Sequence, residues 1–137
     1  MAQKPAEAAS DLQRRLVGTW RLVHHEYERP DGSVRPDTAP SIGRLIYDPG
    51  GRMSVQIQGV RPGDAPADHP TYIAYFGNYE VHEPEGFIVH KVQTSLQPGR
   101  DGTNQQRFFR LEGDRLTLRT PPQPNGEIAI LVWQREG

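Results

Sequence analysis

Apolar and polar residues alternate along most of this chain, in short runs separated by Gly, Pro, Asn and Asp. A period of two marks a strand with one covered face. From Thr19 to about Glu28 it sets Trp20, Leu22, His24 and Glu26 on one face and Arg21, Val23, His25 and Tyr27 on the other. Trp20 and Leu22 turn the first face inward, which carries His24 in with them. Asp31-Gly32 is a turn signal. Further strands are expected over residues 43–47, 52–58, 77–82, 87–96, 104–111, 115–120 and 127–135, with turns at 48–51, 83–86 and 112–114. Residues 71–76 fit either a strand or a turn of helix. Ser10-Asp11 caps a short helix over residues 12–17, placed to lid the bottom of the fold, and the residues before it are expected to fray.

About eight short strands with short, sequential connections predict an all-β protein, a single antiparallel up-and-down β-barrel, with a sandwich as the structural alternative. Residues 1–15 form a flexible tail and short helix, and residues 16–137 the barrel. Two proline-bearing loops, 35–41 and 121–126, belong at the rim. Residues 59–70 hold three Pro and two Gly and cannot be a ladder strand, so they are expected to form a flap over the open mouth.

Composition narrows the function. The 137 residues make one domain with a net charge of -1 and no basic cluster, which argues against nucleic acid and anionic membranes as partners. No apolar run is long enough to span a bilayer, and the first residues lack the apolar core of a secretory signal, so a cytoplasmic protein is expected. The absence of Cys removes disulfides, thiolate metal sites and a Cys nucleophile. High Gly and Pro (14 and 13) punctuate the apolar runs at regular intervals, as turns do, rather than signalling disorder.

Leu16-Val17-Gly18-Thr19-Trp20-Arg21-Leu22-Val23 resembles the Gly-x-Trp opening of lipocalin-like barrels. Trp133-Gln134-Arg135 is similar to their last strand, whose basic residue packs over that Trp. The stretches 43–48, 51–56, 74–79, 89–92, 107–111 and 113–116, in that order, resemble the small bacterial and fungal lipocalin-like domain family of calycin type. The resemblance implies a lipocalin-type barrel that handles a small apolar molecule, as a binder or as a cofactor-free isomerase or cyclase. His24-His25 departs from the pattern, where small or hydroxyl residues are expected.

Several side chains are candidates for chemistry. Trp20 and Arg135 are expected to stack as a structural cation–π pair closing the barrel base. His90 sits on the uncharged face of residues 87–96, with Ile88, Val92 and Leu96. An imidazole among apolar neighbours is either a cavity acid/base or a core His held by a hydroxyl. Arg107 alternates with Phe109 and Leu111; if that face is inward it needs an anion, either Glu26 or a ligand carboxylate or enolate, and a one-residue slip would leave it in solvent. His24, Tyr79, His90 and Arg107 form the candidate catalytic cluster, and Tyr75, Ser54, Gln56 and Phe109 the candidate ligand contacts. No His or carboxylate spacing has metal character, no cofactor motif is present, and neither a nucleophile elbow nor a phosphate loop occurs. The leading expectation is a binder of a small, mostly apolar organic molecule; a cofactor-independent isomerase or cyclase and a filled barrel are the alternatives. A homodimer is allowed by the sequence.

Overall fold

The computed structural model describes residues 10–36, 42–59 and 71–136. One helix, α1 (Asp11–Leu16), precedes nine strands: β1 (Gly18–Glu28), β2 (Val34–Pro36), β3 (Ile42–Tyr47), β4 (Arg52–Gly59), β5 (Thr71–His82), β6 (Phe87–Ser95), β7 (Asn104–Glu112), β8 (Arg115–Arg119) and β9 (Ile128–Glu136). From β3 to β9 each strand pairs antiparallel with the next, β1 pairs with β3, and β9 returns to β1. This closes an eight-stranded up-and-down barrel in which each of those strands has a partner on both sides. The ninth strand, β2, hangs from the upper end of β1, with Glu26 opposite Pro36 and Glu28 opposite Val34. The expected barrel is therefore present. The short strand β2 falls where a rim loop was expected, and residues 71–76 are strand rather than helix, continuous with residues 77–82. The expected frayed tail, most of the first rim loop and nearly all of the expected flap lie outside the described residues.

The helix follows from its ends. Ser10 accepts a hydrogen bond from the Gln13 amide at 3.0 Å, which caps the first turn. Leu16 is buried and Leu12 packs on the same core, so the helix covers the barrel base as its two leucines predict. The Trp20 indole N–H donates to the Leu16 carbonyl at 2.9 Å and ties the helix to β1. The Arg135 guanidinium lies 4.3 Å over the Trp20 ring and donates to the Val17 carbonyl at 2.8 Å and to the Arg15 carbonyl. Gly18 explains the Gly-x-Trp spacing: its φ is +141°, and a β-carbon there would stand 2.8 Å from the arginine nitrogen.

One departure governs the site. The β1–β9 ladder slips between Leu22 and His24, a β-bulge with Val23 as the extra residue. Strict alternation would send His24 inward. With the bulge, Val23 and His24 both face out, and alternation restarts with His25 and Tyr27 inside. His24 instead bonds Glu26 at 2.6 Å on the outer surface. The inward placement of His24 and the pairing of Glu26 with Arg107 are thereby both corrected. A second slip, between Phe76 and Gly77 of β5, leaves Gln93 of β6 without an opposite residue.

Candidate functional site

Trp20, Leu22, Leu45, Tyr47, Met53 and Leu116 fill the lower barrel. Above them a cavity of about 120 Å³ remains, walled by Val55, Ile57, Leu118 and Trp133 and roofed towards the mouth by Arg100 and Arg107. It is small beside the usual pockets for drug-sized ligands, of about 300 to 1,000 Å³. It is nearer the roughly 150 Å³ of an apolar cavity that takes benzene. A wider vestibule of about 550 Å³ adjoins it, bounded by residues 121–125, and shares Arg100, Arg107, Thr120 and Gln123 with the cavity as a neck.

His90 is brought into this wall by the uncharged face of β6, and it is buried. Its Nε2 lies 2.7 Å from the Tyr47 hydroxyl and its Nδ1 2.7 Å from the Tyr75 hydroxyl. A neutral imidazole has one N–H and one lone pair, so one tyrosine donates to it and the other accepts. The Tyr47 hydroxyl is buried and has no other partner among the described residues, so its proton goes to Nε2. The proton of His90 is thereby assigned to Nδ1, which donates to Tyr75. The Tyr75 O–H is then left to point elsewhere, and Tyr75 lines the cavity. Burial, and after it the charge of Arg107, bring the His90 pKa down to about 3. Burial pushes the Tyr75 phenol up, while Arg107 and Arg100 beside it pull the other way.

Arg107 does face inward, with Phe109 and Leu111 on the same side of β7, while Phe108 is exposed. It donates to the Gln106 carbonyl at 2.9 Å. Arg100, from the loop after β6, lies 5.9 Å over the Tyr75 ring. Thr120 is buried; its hydroxyl oxygen accepts from the Ala129 amide at 2.9 Å, which leaves its own proton to give. The buried indole N–H of Trp133 has no hydrogen-bond partner among the described residues.

The expected cluster is thus only partly assembled. His90, Arg107 and Tyr75 meet at the cavity. Tyr79 points inward but below it, where its hydroxyl donates to the Asp48 carbonyl at 2.8 Å and its ring packs on Tyr47. Phe109 packs against the core away from the cavity. Ser54 and Gln56 are corrected: Met53, Val55 and Ile57 take the inner face of β4, so alternation puts Ser54 and Gln56 outside, in an open depression beside Phe76 and Leu96. Tyr47 was missed, although alternation with the buried Leu45 along β3 puts it on the inner face. His25 and Tyr27 were hidden by the bulge, and Arg100 lies in a loop where no periodicity applies. Among the described residues no group of three or more His, Cys, Asp or Glu is placed to hold a metal ion.

A closed eight-stranded meander, stacked Trp and Arg at the base and a cavity opening at the other end define a lipocalin-type barrel. The chain belongs to the lipocalin-like domain family, whose profile matches residues 17–136. No curated protein matches the chain.

Proposed function

We propose that the barrel binds a small, mostly apolar organic molecule of about single-ring size in the cavity beside His90. The observation that carries this reading is the space itself, mostly apolar in its lower walls, polar towards the neck, and left unfilled although the barrel base is filled. Apolar cavities of comparable volume take aromatic rings, and the lower walls here offer that kind of surface. What weighs against the cofactor-free isomerase is the state of its proposed base. His90 has both ring nitrogens engaged and titrates at about 3, so it is a poor proton acceptor near neutrality, and His24 lies outside. His90 serves instead to orient Tyr75.

The test is thermal unfolding in the presence of toluene. A ligand at one hundred times its dissociation constant stabilises the folded state by about 2.7 kcal/mol, so the melting temperature should climb with toluene concentration. In Leu118→Trp, which fills the cavity from β8, the rise should vanish. An unchanged melting temperature in the parent protein, at every concentration that dissolves, would count against the proposal.

A further inference from the structure

The polar groups at the top of the cavity are unbalanced in kind. Arg100 and Arg107 face one neck, and neither has a carboxylate partner among the described residues. No described residue lining the cavity or the vestibule is acidic. The remaining hydrogen-bonding capacity there is mostly donor. Tyr75 has a proton to give because His90 already donates to its oxygen, Thr120 has one because its oxygen serves the Ala129 amide, and two guanidiniums keep most of their N–H groups. Two half-buried like charges with no carboxylate beside them among the described residues repel each other and are poorly solvated. An anion between them relieves both costs.

We infer that this neck is a carboxylate subsite: the ligand is a monocarboxylic acid whose ring-sized apolar part sits in the cavity and whose carboxylate is held by Arg107 and Arg100, with the Tyr75 hydroxyl as a further donor. A planar carboxylate suits the guanidinium fork, which can give two parallel N–H bonds. Size agrees with charge, because the enclosed part admits about one ring while the neck opens to a vestibule where the charged end keeps contact with water. Tyr75 selects further. With the His90 Nδ1–H and the Arg107 guanidinium both directed at its oxygen, the Tyr75 hydroxyl has its proton left to give to an acceptor oxygen. This inference rests on the cavity-binding reading above and adds the charged group.

Isothermal titration with three probes separates the two claims: benzoate, its neutral counterpart benzamide, and toluene. Benzoate should bind about tenfold or more tightly than benzamide, the difference expected for charge-assisted hydrogen bonds. Arg107→Gln and Arg100→Gln should each weaken benzoate by about tenfold and leave toluene within about twofold. Arg100 is in a loop, so its variant tests the claim even if Arg107→Gln unfolds. If toluene binds but benzoate is no tighter than benzamide, or if both variants hold benzoate as the parent does, the carboxylate subsite is overturned and the cavity reading survives. If none of the three probes binds, the cavity reading falls and the subsite falls with it.

Discussion

At the scale of single residues, His90 shows how neighbours decide what an ionisable group can do. Its position on the uncharged face of β6 was legible from alternation alone. Its partners were not, because Tyr47, Tyr75 and Arg107 come from β3, β5 and β7 and meet only through the register of the closed sheet. A cation here would have to donate to both tyrosines in a dry site next to Arg107, so the neutral ring is strongly preferred. The consequence is a pH dependence of defined sign. Folded His90 titrates at about 3 against 6.5 for an ordinary imidazole. Between these values the unfolded chain binds a proton that the folded chain refuses. Stability therefore rises with pH through the window and is lost as pH falls through it, by up to about 1.4 kcal/mol per pH unit from this one group. Urea unfolding across that window should show a slope in the parent protein that is shallower by this amount in His90→Gln. Parallel pH profiles would show that the imidazole is not the group responsible.

At the scale of elements, alternation and turn chemistry located nearly every strand but failed where the ladder itself is irregular. The Gly, Pro, Asn and Asp punctuation set the ends of β3, β4, β6, β7, β8 and β9 to within a residue or so. In β1 the first half was oriented correctly and the second half inverted, because one extra residue at Val23 reverses every face beyond it. Nothing in the run Leu22-Val23-His24-His25 announces that insertion, since Val and His suit either face of a strand. In β5, Gly77 looked like a boundary between two elements, yet the strand passes straight through it. Its lack of a side chain is required by packing. A β-carbon at Gly77 would lie 1.9 Å from the Lys91 carbonyl oxygen and 2.8 Å from the Gln93 amide nitrogen, both backbone atoms that cannot step aside. Gly77→Ala is expected to cost about 3 kcal/mol or more. Gly32→Ala, where φ is +88° but the space is open, should cost only about 1 to 2 kcal/mol. Chemical unfolding of both variants checks the order, and equal losses would mean that β5 and β6 separate more easily than their close approach suggests.

At the scale of the whole molecule, the barrel divides into a sealed base and an open end. The base is held by α1, Trp20 and Arg135, and the pairing of Trp20 with Arg135 followed from the resemblance of the first and last strands to lipocalin-like barrels. Arg135 stacks on the indole, donates to the Val17 carbonyl and reaches Asp114 at 3.1 Å. Arg135→Ala removes these together, and the unfolding free energy should fall by about 2 kcal/mol or more. Arg135→Lys should recover only part of this, because an ammonium cannot lie flat on the ring and donate along two edges at once. Full recovery by lysine in an unfolding titration would reduce the stack to simple charge. The open end was the harder part to read. Its decisive groups, Arg100 and Thr120, stand in or beside connections whose course the alternation of apolar residues does not determine.

The seam between β1 and β9 also bears on time. Arg135 and Val17, which it joins, are 118 residues apart along the chain. During synthesis β1 emerges long before β9 exists, so one edge of β1 stays unpaired and Trp20 lacks its cover until nearly the whole fold has left the ribosome. The barrel cannot be assembled by stable stages from its first strand onward. It has to wait, and closing so distant a contact is slow compared with local structure. A chain ending before β9 would leave that edge of β1 unpaired, a strand edge on which another chain could pair.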